Sequence, residues 1–215
     1  MLGCTVRAMK TRLLATVCAA AALLAAAACG GGGGGRERAL TVDDMISALG
    51  PVPDTPAGAA YSTDSQATTL TPDDLRTGAT QSDRPLVDAL SKAGLSKIYQ
   101  RSFHGAFNTA DGTAYVFPDA TGAGTAFDAL HRSLSKTSDP SQKLAEEKPG
   151  SLGDQAWGAH LTGGSEGALF LWRRSNVVIV ADMSCDSGCG VDIVAAARDY
   201  AAAIDQRTLE SLQQS

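Results

Sequence analysis

Arg7, Lys10 and Arg12 are followed by 16 residues, Leu13 to Ala28, that carry no charge and consist only of Leu, Ala, Val, Thr and Cys. A basic start before an apolar run of this length reads as a secretory signal, because a bilayer span takes about 20 apolar residues. Residues 1–28 are therefore expected to be a signal peptide that directs export and is then removed. The rest of the chain must fold outside the cytoplasm and build its core without its most apolar stretch.

Ala26, Ala27 and Ala28 stand immediately before Cys29. Small residues ahead of a cysteine resemble the lipobox of bacterial lipoprotein precursors. In that family the cysteine thiol is acylated with diacylglycerol and the chain is cut just before it. The usual Leu three places before the cysteine is replaced here by Ala26, with Leu24 further back. The resemblance implies lipidation at Cys29 and a durable anchor, since two acyl chains hold where one holds only marginally. The alternative is ordinary signal cleavage after the Ala-Ala-Ala run.

Removing residues 1–28 takes away three basic residues and no acidic one. That leaves 15 basic against 23 acidic, a formal charge of −8. A chain this acidic is poorly suited to nucleic acid or to a polybasic grip on anionic lipid. Contact with the membrane is expected through the lipid on Cys29, and no nucleic-acid partner is expected.

With Cys4 and Cys18 lost in the signal and Cys29 assigned to lipid, Cys185 and Cys189 remain. Outside the cytoplasm a close pair reads first as a disulfide, with free thiols or a metal site as alternatives. Zinc needs further Cys or His ligands, and the nearest in sequence is His160. Asp186, Ser187 and Gly188 are turn formers that could bring the two α-carbons within bonding range.

Gly30 to Gly35 form an unbroken glycine run, which reads as a flexible tether. Thr41 to Leu49 could form a short helix capped by Thr41, stopped by Pro51 and Pro53. Residues 54–83 are rich in Thr, Ser, Asp, Gly and Ala, a composition that favours loop or disorder. Residues 29–83 are thus expected to be lipidated cysteine, tether and largely disordered linker, with one folded domain over 84–215.

Within that domain Pro85 to Ala93 reads as a helix with Gly94 as its stop. Ile98 to Phe107 alternates as a half-buried strand, Asp111-Gly112 as a hairpin turn, and Thr113 to Phe117 as the return strand. Ala123, Ala126, Phe127, Leu130 and Leu134 make one apolar stripe at helical period. Residues 137–150 read as a loop. Gln155 to Leu161, Ala168 to Arg173 and Val177 to Ala181 read as strands. A last helix from Val191 to beyond Arg207 carries the small-residue stripe Val194, Ala197, Ala201 and Ile204. Hairpins joined by single helices predict an α+β fold: an antiparallel sheet with helices packed mainly on one face, a single domain after a flexible N-terminal tether.

The second half is similar to small secreted lipoproteins of actinobacteria, some of which resemble extracellular sensor domains of bacterial kinases. The likeness rests on Gly153-Asp154-Gln155-Ala156, on Arg173-Arg174-Ser175-Asn176 and on the closing Ala-rich helix, within roughly residues 84–207. It implies fold and location and carries no catalytic residue.

No candidate chemistry stands out. His104, His131 and His160 lack partners at metal-ligand spacing. Gly122-x-Gly124 is half of a dinucleotide fingerprint, with Phe127 where a small residue is needed. Gly163 to Gly167 lacks the spacing of a nucleophile elbow. Glu146 and Glu147 read as solvated charge. The aromatics Tyr99, Tyr115, Trp157, Phe170 and Trp172 read as core or as the lining of a groove. No catalytic residue, metal or cofactor is expected. The sequence predicts a membrane-anchored lipoprotein whose domain binds an envelope ligand or partner, with an envelope enzyme or a docking accessory as the rivals.

Overall fold

The computed structural model describes residues 38–52, 61–105, 108–137, 141–163, 165–185 and 190–213. Residues 1–28, expected to be a signal peptide, lie outside these residues, as do Cys29, the glycine run and Asp186 to Cys189.

In chain order the elements are α1 (Val42–Ala48), β1 (Tyr61–Leu70), α2 (Pro72–Gly78), α3 (Arg84–Lys92), β2 (Lys97–Gly105), β3 (Asn108–Val116), α4 (Ala120–Leu134), β4 (Lys143–Glu147), β5 (Gln155–Thr162), β6 (Glu166–Arg174), β7 (Val177–Cys185) and α5 (Ile193–Gln213). The strands form one antiparallel sheet in the order β1-β2-β3-β7-β6-β5-β4. Two meanders, β1-β2-β3 and β4-β5-β6-β7, meet at its centre where β3 pairs with β7. Each is followed by a long helix, α4 or α5. The expected α+β class with an antiparallel sheet holds.

The helices do not gather on one face. Ile193, Ala197, Tyr200, Ala201 and Ile204 of α5, with Met45 of α1, pack against Tyr99, Phe103, Phe170, Trp172 and Ile179. On the other face Leu86 and Leu90 of α3 and Ala123, Ala126, Phe127 and Leu130 of α4 cover Ile98, Trp157, Leu169, Leu171, Val178 and Val180. The reason is visible in β6 and β7. Their side chains stay buried at consecutive positions, Ala168 to Trp172 and Val177 to Ala181, so both faces need cover. Trp172 and Phe170 are fully buried, each side chain worth roughly 1.5–3 kcal/mol in removal from water.

Three readings of the chain change at the sheet's margins. The segment expected as linker holds a strand and a helix: β1 pairs with β2 along Ser65 to Leu70, and α2 carries a capping box between Thr71 and Asp74. Residues 143–147, expected as loop, are the opposite edge strand β4, paired to β5. Asp111 and Gly112 are not a turn; they sit mid-strand in β3, opposite Ser102 and Arg101 of β2. Gly112 is required for packing. A Cβ there would lie 2.8 Å from the Leu49 side chain and 2.9 Å from the Tyr200 hydroxyl.

Ahead of the sheet, α1 begins as the sequence predicts, with Thr41 and Asp44 forming a reciprocal capping box. Burial would raise the Asp44 carboxyl, but hydrogen bonds from Thr41 and the Arg38 guanidinium outweigh it and hold the group below the usual carboxylate range.

Candidate functional site

Antiparallel register places side chains in rows across the sheet. One row on the α3/α4 face runs Gln66, Ser102, Asp111, Asp182, Leu169, Ala159 and Glu146. The next runs Thr68, Gln100, Thr113, Val180, Leu171 and Trp157. The β5-β6-β7 end of these rows is apolar and lies under α3 and α4. The β1-β2-β3 end is polar, with Gln66, Thr68 and Gln100 exposed and Ser102, Asp111 and Thr113 half-buried, and the half-buried Asp182 of β7 adjoins it. One face of the sheet thus divides into a covered apolar half and an accessible half made of amides, hydroxyls and carboxylates.

At the border stand Asp111 and Asp182, directly opposed on β3 and β7. Burial pushes the Asp182 carboxyl well above the usual carboxylate range, and the charge of Asp111 pushes it further. Tyr115, also on this face, is raised to about 12 by burial and by the charge of Asp182. Two carboxylates facing across a ladder repel when both are ionised, so one proton held between them is the favoured state.

The consequence for stability has a definite sign. A carboxyl whose folded proton affinity exceeds its unfolded one makes the folded state bind more protons, so stability falls as pH rises through the folded value. The loss is absent below the ordinary aspartate range and complete once Asp182 is ionised. Asp182→Asn should remove that slope while keeping the side-chain shape. Urea unfolding followed across pH should show the wild type losing stability where the variant stays flat; parallel curves would refute the assignment.

Other residues singled out in the sequence are scattered. Cys185 ends β7 and is buried, while Cys189 lies outside the described residues. His104 is exposed on β2. The His131 ring lies 4.9 Å from that of Trp157 and 6.2 Å from that of Phe127, a packing role. His160 Nε2 is 3.1 Å from Glu166 Oε1. Gly122 and Gly124 lie inside the first turns of α4, whose Asp119 cap accepts from the Gly122 amide. Glu147 contacts Arg198 at 3.5 Å. Among the described residues no group of three or more His, Cys, Asp or Glu is placed to hold a metal ion.

The residues that carried the resemblance meet at one end of the sheet. Asp205 of α5 takes two hydrogen bonds from Arg174, Nη2 at 2.6 Å and Nε at 3.1 Å, and a third from the Gly153 amide. Asp154 accepts from the Ser175 amide at 3.0 Å, with Ser175 at φ 53°. Gly153 has φ 51°, and a Cβ there would collide with the Arg173 carbonyl oxygen, so only glycine serves. Asn176 bonds Leu40 and Phe117 through its side chain. These residues close the β6–β7 turn onto α5 and the strap before α1, and their work is structural.

Sequence reasoning missed the Asp111–Asp182 pair. Asp111-Gly112 matched a turn dipeptide, and Asp182 ended an apolar run. The signal was the alternation that continues through both: Ala110, Gly112 and Ala114 of β3 and Ala181 and Met183 of β7 share one face, which leaves Asp111 and Asp182 on the other.

The architecture resembles the crystal structure of the extracellular domain of PknH from Mycobacterium tuberculosis, at TM-score 0.50 and 14% identity over 83% of this chain and 100% of that one. An X-ray structure of an uncharacterised protein from Mycobacterium smegmatis superposes at TM-score 0.40 and 10% identity, over 76% of this chain and 96% of that one. No protein-family model matches the chain, and no curated protein matches it in sequence. The likeness to the PknH domain is one of fold.

Proposed function

We propose that this chain is an extracytoplasmic lipoprotein, held to the membrane by a lipid on Cys29, whose α+β domain binds an envelope ligand or protein partner without catalysing a reaction. The observation that carries this reading is the fold shared with an extracellular domain over the whole of that domain. The basic, apolar and small-residue head ending at Cys29 supports the anchor. No helix among the described residues is long and apolar enough to cross a membrane. The accessible polar half of the sheet offers hydrogen-bonding groups for a partner.

The anchor is tested by fractionation. Cys29→Ala should move the protein from the membrane fraction to the medium, or leave it as unprocessed precursor. A variant that fractionates and is processed like the wild type would defeat the proposal.

A disulfide between Cys185 and Cys189 belongs to the same reading. Cys185 leaves β7 buried, and a bridge across three turn formers would stiffen the handover to α5. Thiol titration of the unfolded chain without reductant should find neither cysteine free; two reactive thiols from this pair would end the idea.

A further inference from the structure

We infer that Arg207 and Tyr200 of α5, with Arg101 of β2, form a binding site for a small oxyanion, a phosphate or carboxylate group. Two buried donors point to it. Among the described residues the Tyr200 hydroxyl and Arg207 Nη2 are both buried without a hydrogen-bond partner, a state that buried polar groups seldom keep. Neighbouring groups fix their directions. Arg207 Nε donates to the Ala203 carbonyl at 3.1 Å and Nη1 to the Pro51 carbonyl at 3.3 Å, which leaves Nη2 as the undirected donor. The Tyr200 ring packs edge-on to Phe103, with centroids 6.3 Å apart. Its hydroxyl lies over Gly112, which pairs in register with Arg101.

Arg101 brings the second positive charge to the same place. Its Nη1 donates to the Leu49 carbonyl at 3.3 Å, and its guanidinium lies 5.2 Å from the Phe103 ring centre. Leu49 in turn touches the Gly112 position beside the Tyr200 hydroxyl. The strap 49–52 therefore joins all three side chains. Burial lowers the proton affinity of Arg207; Tyr200 offsets part of this, the like charge of Arg101 adds to it, and the carboxylate of Glu210 opposes it. Tyr200 is raised above the usual tyrosine range, chiefly by burial and further by the charges of Asp111 and Asp182, against the lowering effect of Arg207 and Arg101, so its hydroxyl keeps the proton it would donate.

Among the described residues Arg207 makes no ion pair, in a chain with an excess of acidic groups. Arg207 is half-buried, with Glu210 as a nearby negative charge, but its Nη2 is fully buried, and an oxyanion accepting from guanidinium and phenol together would satisfy both unpartnered donors. Arg207 is tied to this strap through the Pro51 carbonyl and packs against the Gly50 position, and Pro51 is itself exposed. The site lies on the α1/α5 face, apart from the polar half of the sheet described above. It gives a ligand class to the general binding role proposed for the domain and rests on that reading, whereas lipidation at Cys29 is independent of it, so failure of this site leaves the anchor standing.

The test uses the full chain in non-ionic detergent. Thermal unfolding is followed while inorganic phosphate, and separately acetate, is titrated at ionic strength held constant with sodium chloride. The expected result is a saturable rise in the unfolding midpoint with at least one of them, and the stronger arm identifies phosphate or carboxylate. Tyr200→Phe removes an unpartnered hydroxyl and should fold, yet bind about tenfold more weakly through loss of a charge-assisted hydrogen bond. Arg207→Gln should abolish the rise. No saturable shift with either anion, or a Tyr200→Phe response equal to the wild type, would reduce the arginines to clamps on the 49–52 strap and overturn the inference.

Discussion

Asn176→Ala is expected to lower the stability of the domain by about 4 kcal/mol, since each buried backbone group left without its partner costs roughly 1–3 kcal/mol. Asn176 is only 2% exposed. Its Nδ2 donates to the Leu40 carbonyl at 3.0 Å and the Phe117 carbonyl at 2.7 Å, and its Oδ1 accepts from the Leu40 amide at 2.7 Å. One side chain thus joins three separate stretches: the turn between β6 and β7, the end of β3, and the strap entering α1. Truncation strands all three backbone groups beside the buried Leu40 side chain. Arg38 contributes bonds to Asp44 and to the Ser211 carbonyl, both exposed. Urea denaturation should show a midpoint shift at unchanged slope. A loss below about 1 kcal/mol, the net worth of one ordinary hydrogen bond, would mean that the strap is not held by Asn176.

Asp205→Asn should cost a further large amount, about 3 kcal/mol, because removing one charge of a buried pair leaves the other uncompensated. Asp205 is 5% exposed, and it receives Arg174 through two nitrogens and Gly153 through its amide. The amide of asparagine has one acceptor oxygen where the carboxylate had two, so one of these donors must go without. A double-mutant cycle with Arg174→Met should return a coupling of about 1 kcal/mol or more. Additive effects of the two substitutions would show that Arg174 and Asp205 act separately.

What could be read from the sequence followed from how strongly burial marks each element. The α4 stripe at Ala123, Ala126, Phe127 and Leu130 is legible because a helix packed on one side must repeat apolar residues at helical period, and all four are buried. The α1 start is legible because a capping box is local chemistry. Strands β1 and β4 escaped detection because edge strands are held through backbone pairing. From Gln66 to Thr69 every side chain of β1 is exposed, and β4 offers only Leu144 to the core. Nothing in such stretches need be apolar. The two-sided cover of the sheet was written in the unbroken apolar runs of β6 and β7, which differ from the alternation of a sheet wet on one face. The Asp111-Gly112 error has another cause. A glycine needed for the approach of Leu49 and Tyr200 carries the same letters as a glycine needed for a turn, and only tertiary packing separates the two. Arg101, Tyr200 and Arg207 were invisible as a group because 99 positions separate Arg101 from Tyr200, and only the β2–β3 register and the course of α5 bring them together.

The central claim is that this domain is displayed outside the cytoplasm on a lipid attached to Cys29. The direct measurement is mass spectrometry of the N-terminal peptide of the wild-type protein extracted from membranes. The account predicts a chain beginning at Cys29 with the mass of a diacylglycerol group on its thiol. A mature N-terminus without lipid, whether it begins at Cys29 or at another residue, would contradict it.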